Sequence, residues 1–335
     1  MKYEYEMLKV GDADAIVIRH FINDTPYVIL IDAGNVNDGS TIKKHLQTYF
    51  GSTTIDLAIC THPDDDHKGG FFTLLTGNEV TVKEFWLTDP AVYLDKDDYD
   101  SDSEYDSAVD EVRVVWSNKD NTLNLVELAL DKCEKTVHVI EGDEHESLPI
   151  KIVAPDETFY CETAKEMLKL NGVDDFDDSS RDEYNELYEM DEEDAKSVID
   201  AKDKNDPSPY NASSLVVLYH PDNKKFLFCG DADTTSLQIM LDHYPEIRNV
   251  DMLKVPHHGS KRNLNTTIIE ALAPKKSYIS AAGNAKHPDR SVVYWLSKYG
   301  PVYSTHTANG YVHCGTRGIE RAGTRVLSPI KEKQE

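Results

Sequence analysis

The segment Thr61-His62-Pro63-Asp64-Asp65-Asp66-His67-Lys68-Gly69-Gly70 constrains this chain more than any other. It follows Ile55-Asp56-Leu57-Ala58-Ile59-Cys60, a near-continuous apolar run that reads as a strand buried on both faces. Two imidazoles and three carboxylates then crowd into the six positions from His62 to His67. Like charges this close repel one another and resist burial. A divalent cation removes that repulsion, and a mixed set of carboxylate and imidazole donors suits zinc, manganese or iron. A solvated acidic loop explains a bare Asp-Asp-Asp. It does not explain the flanking histidines, the glycine pair and two further ligand-bearing strand ends downstream.

Four places share one format, an apolar strand followed by a polar residue and a loop. Asp32 follows Val28-Ile29-Leu30-Ile31, and the His62 to His67 cluster follows the strand at 55–60. Asp231 follows Phe226-Leu227-Phe228-Cys229-Gly230, and His257-His258 follow Met252-Leu253-Lys254-Val255-Pro256. Strand ends that face one edge of a layered sheet are where sites are built. The patterning predicts strands at 3–10, 14–21, 27–34, 55–60, 82–88, 136–140 and 148–154, then a second series from 214 to about 327. Helices are expected near 40–50, 68–76, 104–116, 121–134, 182–201, 234–243, 264–272 and 290–298. Two strand series with interleaved helices predict an α/β domain (α+β in some schemes) with packed sheets, spanning 1–335.

With 335 residues, 39% of them hydrophobic, the chain can build one large core. No stretch approaches the ~20 apolar residues of a membrane span. The N-terminus alternates like a strand and lacks a signal-peptide core, so a soluble cytoplasmic protein with no membrane partner is expected. Five scattered cysteines without a Cys-x-x-Cys pair read as buried reduced thiols.

The formal charge of −26 is unevenly spread. Residues 95–110 hold eight acids and one base, and 174–206 hold fifteen acids and four bases. Both read as acidic surface insertions, open to a protein partner. The window 251–300 instead holds eight bases and three acids. Long duplex DNA is disfavoured, because binding it requires neutralising phosphates and no basic stripe is visible.

The segment Thr61 to Gly70 resembles the T-H-x-D-x-D-H-x-G-G variant of the metallo-β-lactamase motif found in the DNA-uptake hydrolases of the ComEC/Rec2-like branch. Other segments agree in order: Val10-Gly11-Asp12-Ala13-Asp14-Ala15, Leu30-Ile31-Asp32-Ala33-Gly34, and Asn211 to Tyr219 with Phe226 to Asp233. Leu253-Lys254-Val255-Pro256-His257-His258-Gly259-Ser260 and Ser280 to Pro288 complete the series. The resemblance covers roughly 8–315 outside the acidic segments. It implies a four-layer αββα sandwich and two divalent metal ions, Zn2+ or Mn2+, that activate a water.

Carried over by position, the resemblance implies His62 and Asp64 as ligands of a first metal. It implies Asp66, His67 and His257 on a second, with His258 the other candidate beside His257 and Asp231 bridging. Asp32 would orient ligands from beneath. Asp66, His258 and His287 would act in catalysis, the histidines protonating the leaving group. Apart from the resemblance, Lys254, Ser260 and Lys261 lie in the basic stretch near His257 and His287, where cations suit a substrate phosphate; a solvated basic face is the alternative. Two departures stand out. Asp64 replaces a histidine of the wider fold, and Asn211, Ser213 and Ser214 stand where its third-motif histidine is expected. The first position is thereby oxygen-rich, which tilts it toward manganese.

The expected activity is a phosphodiesterase or nuclease on single-stranded or small substrates. An esterase, lactonase or phosphorylcholine-type hydrolase on the same fold is the alternative, as is a metal-bound module that docks a partner without catalysis.

Overall fold

A computed structural model describes residues 1–170, 190–201, 205–206, 208–284, 286–316 and 328–330. Two sheets carry the fold. The first has seven strands in the order β13-β1-β2-β3-β4-β5-β6. These are β1 (Lys2–Leu8), β2 (Ala15–Ile22), β3 (Thr25–Ala33), β4 (Thr54–Ile59), β5 (Thr81–Leu87), β6 (Lys135–His138) and β13 (Tyr311–Gly315). The second has six, β7 (Ile150–Ala154), β8 (Val216–Tyr219), β9 (Phe226–Phe228), β10 (Met252–Lys254), β11 (Ser277–Ile279) and β12 (Val302–Ser304), in the order β12-β11-β10-β9-β8-β7.

Side-chain alternation divides the strands between two cores. On β3 and β4, Ile29, Ile31, Leu57 and Ile59 point between the sheets, where they meet Ile152, Val217, Phe228 and Met252 of the second sheet. Leu30, Ala58 and Cys60 point outward and are covered by Ile42 of α1 (Asp38–His45) and by Phe71 and Leu74 of α2 (Asp65–Thr76). The outer face of the second sheet is covered by α8 (Thr234–His243), α9 (Thr266–Leu272) and α10 (Arg290–Ser297), with Leu237, Ile268 and Val292 against Leu227 and Leu253. The result is the four-layer αββα sandwich expected from the sequence. Strands β3, β4, β5 and β6 run parallel, as do β9, β10, β11 and β12, so their carboxyl ends bring the loops that follow them to one edge. No described helix is long and apolar enough to cross a membrane.

Two local expectations are corrected. The helix expected from 68 begins at Asp65, after an extended Asp64, so Asp65, Asp66 and His67 lie on its first turn. Gly69 and Gly70 are inside α2 because it lies directly on the backbone after β3. A Cβ on Gly70 would stand 2.0 Å from the Ala33 carbonyl oxygen, and one on Gly69 2.7 Å from the Val36 nitrogen. Gly70 N–H donates to Gly34 O at 2.9 Å, fixing that approach.

The second acidic segment is also less peripheral than expected. Residues 171–189 lie outside the described residues. Its last part carries α6 (Glu192–Ile199), packed on α10, and Asp200 accepts from both the backbone N–H and the hydroxyl of Thr266 at the start of α9. In the first acidic segment, α3 (Asp102–Arg113) is largely exposed, and its Arg113 pairs with Asp89.

Candidate metal centre

The loops after β3, β4, β9 and β10 meet at one edge and bring Asp66, His67, Asp231 and His258 together. One ligand atom from each lies within 4.8 Å of the others. His67 Nε2 is 3.3 Å from Asp231 Oδ1 and 3.7 Å from Asp66 Oδ2. His258 Nε2 is 3.1 Å from Asp66 Oδ2 and 3.8 Å from Asp231 Oδ2. Each imidazole is held by its other nitrogen, His67 Nδ1 by Asp32 at 2.8 Å and His258 Nδ1 by the Ser280 carbonyl at 2.9 Å. Gripped in this way, both rings present Nε2 to the carboxylates.

The electrostatics match the geometry. Burial disfavours the imidazolium of His67, but Asp231, Asp66 and Asp32 outweigh it and raise the His67 pKa well above its ordinary value. Burial pushes the Asp231 carboxyl up, and His67, His257 and His258 outweigh it, holding the group well below the usual carboxylate range. Asp66 is held low for the same reason by His67 and His258. The site therefore collects negative charge that needs cations close by.

A divalent cation fits this donor set. His67 Nε2, His62 Nε2 and Asp64 Oδ1 are buried without hydrogen-bond partners. Buried polar atoms normally find partners, and unpartnered lone pairs facing one space are what a cation uses. Nitrogen and oxygen together suit zinc or manganese.

The expected residues take different places. His258, the second ligand candidate in the sequence and also assigned there to proton transfer, is the imidazole that joins Asp66, His67 and Asp231. His257, expected in that role, is turned the other way. Its Nδ1 meets Asp206 Oδ2 at 2.7 Å and Asn263 Oδ1 at 3.0 Å, and its Nε2 is 4.0 Å from Asp231 Oδ2. Consecutive positive φ angles, 46° and 54°, splay the two side chains. His62 and Asp64 lie beside the group, with His62 Nε2 3.6 Å from Asp64 Oδ2. Asp65 turns away to Lys68 and Lys119, each at 3.3 Å, because a step along a helix rotates the side chain off the face that carries Asp66.

His287 is 3% exposed, stands beside His257 and His258, and has no hydrogen-bond partner on either ring nitrogen. Burial first, then the neighbouring imidazoles, push its pKa down to about 3. Near neutral pH it is therefore uncharged, and without a cation bound it does not offer the acidic proton expected of it.

Lys254 is not placed to meet a substrate phosphate. It is fully buried, its ammonium ion-paired with Asp14 and donating to the Gly230 carbonyl at 3.0 Å. Ser260 is also buried, its hydroxyl accepting from Arg262 N–H, whereas Lys261 is half-buried. Asn211 donates from Nδ2 to Asp206 at 2.9 Å.

Three participants escape sequence reasoning. Asp14 is a fully buried counter-charge to Lys254. Asp206 and Asn263 hold His257. Asp14 lies in a segment that carries the family resemblance, which is a weak signal for it. Asp206 is hidden by the fourteen other acids of its segment.

No family model matches the chain. A stretch of 126 residues is 32% identical to the ComE operon protein 3 of Bacillus subtilis (strain 168), covering 37% of this chain and 16% of that protein. The chain thus matches less than a fifth of that relative's length. Among solved structures, one similar to it is the metallo-β-lactamase fold protein YhfI from Bacillus subtilis. It is 10% identical, with 92% of this chain and 99% of that chain covered and a TM-score of 0.43. A diphosphatase from the PhnP family is 9% identical, over 94% and 98% of the two chains, with a TM-score of 0.43. The metallo hydrolase Igni18 from Ignicoccus hospitalis KIN4/I is 10% identical, over 93% and 98%, with a TM-score of 0.41.

Proposed function

We propose that this chain is a metal-dependent hydrolase of the metallo-β-lactamase type that cleaves phosphodiesters in short or single-stranded nucleic acids or small molecules. The observation that carries the reading is the buried group of Asp66, His67, Asp231 and His258, in which both imidazoles are gripped at Nδ1 and present Nε2 inward. These four residues would hold the cation, zinc or manganese. Bound there, a divalent cation supplies Lewis acidity and lowers the pKa of a water, the two things hydrolysis needs.

The chain's own residues do the rest. Asp231 is fixed by the Ser214 hydroxyl on its N–H and by His257 N–H on Oδ1, so it faces the group without searching. Asp66, on the rigid first turn of α2, accepts hydrogen bonds and can orient the attacking water. His287, unpartnered beside His257 and His258, is positioned for the substrate side. Fixed donors and acceptors in a dry site act more strongly than in water.

The phosphodiester assignment is supported by the resemblance to DNA-uptake hydrolases and by the similarity to the ComE operon protein 3. The net positive window after His258 agrees with it. The overall charge of −26 favours small or single-stranded substrates over duplex. The test is metal analysis of the purified chain, with hydrolysis of a generic phosphodiester and of single-stranded and duplex DNA in Mn2+ and in Zn2+. Expected are bound cation, cleavage of the single strand over the duplex, and loss of activity in Asp66→Ala. Protein without cation, or activity that survives Asp66→Ala, would overturn the reading.

A further inference from the structure

The end of the second acidic segment is stapled beside the metal edge. α6 packs on α10, where Lys298 pairs with Glu192 at 2.7 Å and stands over the Trp295 ring. Asp200 holds the start of α9 through Thr266. Asn205 holds the start of α8. Its Oδ1 accepts from the Thr234 hydroxyl at 2.8 Å, and its Nδ2 donates to Asp233 Oδ2 at 2.8 Å. Asp206 follows, only 8% exposed, and closes on the loop after β10.

The surroundings of Asp206 call for a carboxylate. Its Oδ2 accepts from His257 Nδ1 at 2.7 Å, Asn211 Nδ2 at 2.9 Å and Asn263 Nδ2 at 3.0 Å. Its Oδ1 accepts from Ser208 N–H at 3.0 Å. A carboxylate only accepts, so donors can meet both oxygens at once. An amide of the same shape must turn its own NH2 toward one of the two sets of donors.

What Asp206 grips adjoins the metal centre. His257 N–H donates to Asp231 Oδ1 at 3.1 Å and to the Gly230 carbonyl at 3.2 Å. Asn263 Nδ2 also donates to the Asp231 carbonyl at 2.9 Å. His257 and His258 have φ 46° and 54°, and such a turn persists only where its surroundings over-determine it. The His257 ring, seated on Asp206, is the side chain that holds the turn from outside. With that ring held, the next residue aims His258 Nε2 at Asp66 and Asp231.

We propose that Asp206 is a positioning residue of the metal centre. Through His257 it keeps the turn that presents His258 and fixes Asp231 Oδ1, so a segment that reads as solvated surface sets cation affinity. The inference rests on the proposed metal centre and deepens it.

The test is calorimetric titration of the chelator-treated full chain with Mn2+, alongside urea unfolding of each variant in chelator. Asp206→Asn should lower cation affinity about tenfold. Asp206→Glu keeps an acceptor-only group and moves it by one methylene, so it should lose less. It also carries the test if Asp206→Asn does not fold. His257→Asn keeps a residue type that tolerates positive φ and should lower affinity too. Adding Asp206→Asn to it should cost little more, because the two act through one contact. A residue that only supports the fold would lower urea stability, leave affinity unchanged and be indifferent to His257. Unchanged affinity in Asp206→Asn and Asp206→Glu, or full additivity with His257→Asn, overturns the assignment. A wild-type chain that binds no cation overturns the metal centre and this assignment with it.

Discussion

Asp32 Oδ2 lies 2.8 Å from His67 Nδ1, and neither side chain is exposed. The same oxygen accepts the Thr61 hydroxyl at 2.8 Å, and that hydroxyl oxygen accepts from His62 Nδ1. One carboxylate at the end of β3 therefore orients two imidazoles on the loop and helix after β4. Asp32 has φ 57°, a conformation Asn also tolerates, so Asp32→Asn leaves the backbone in place. It changes an acceptor-only group into one that can turn a donor toward His67. Cation affinity is expected to fall about 10–100-fold with the fold intact. Calorimetry with circular dichroism checks this, and unchanged affinity would count against the orienting role.

Gly70→Ala tests the seating of α2. The added methyl would stand 2.0 Å from a backbone oxygen, with no flexible side chain to yield. Overpacking of this kind costs about 1–3 kcal/mol or more. The helix can relieve it only by lifting from β3, which moves Asp66 and His67 together. Urea unfolding should show the loss of stability, and cation affinity should fall with it. A variant with wild-type stability would mean that the helix is not clamped there.

Much of this arrangement is legible in the sequence, for identifiable reasons. Strands β3 and β4 announce themselves because burial on both faces removes polar residues from them. Asp32, Asp66, His67 and Asp231 stand out because each follows such a run. What the sequence hides depends on backbone direction or on contacts distant along the chain. The choice between His257 and His258 turns on two successive positive φ angles that no side-chain pattern records. Asp206 meets His257 across 51 residues, from a segment whose composition reads as solvated surface. Lys254 sits in a basic window, yet its charge is spent on Asp14, 240 positions away and buried with it.

The cation-free chain should lose stability as pH rises. Burial disfavours the His257 imidazolium, but Asp231 and Asp206 outweigh it and raise its pKa to about 9, and His67 is raised as well. In the unfolded chain both titrate near ~6.5. A folded pKa above the unfolded one means the contribution is fully present below about pH 6.5 and is lost as pH climbs through about 9. Mn2+ held by Asp66, His67, Asp231 and His258 would take the place of the His67 proton, so the loaded chain should show a smaller decline. Melting temperatures from about pH 6 to about pH 10, with chelator and with Mn2+, read this directly. A cation-free chain that gains stability across that window would contradict it.

Lys254 offers the sharpest separation of structural from substrate roles. Burial lowers its pKa, but Asp14 and Asp231 outweigh that and raise it, so the ammonium stays charged in the interior. Lys254→Met strands the Asp14 carboxylate, which is fully buried and lies 3.9 Å from His67 Nδ1 and 4.0 Å from His258 Nδ1. Removing one partner of a buried ion pair costs about 3–5 kcal/mol, most of it the penalty of the charge left behind. Adding Asp14→Asn removes that charge and should recover a large part of the loss. Urea unfolding of the two single variants and the double variant, all in chelator, closes the cycle. A lysine that instead met a substrate phosphate would leave stability unchanged and raise KM when replaced. That pattern, with additive effects in the double variant, would return Lys254 to the substrate side of the site.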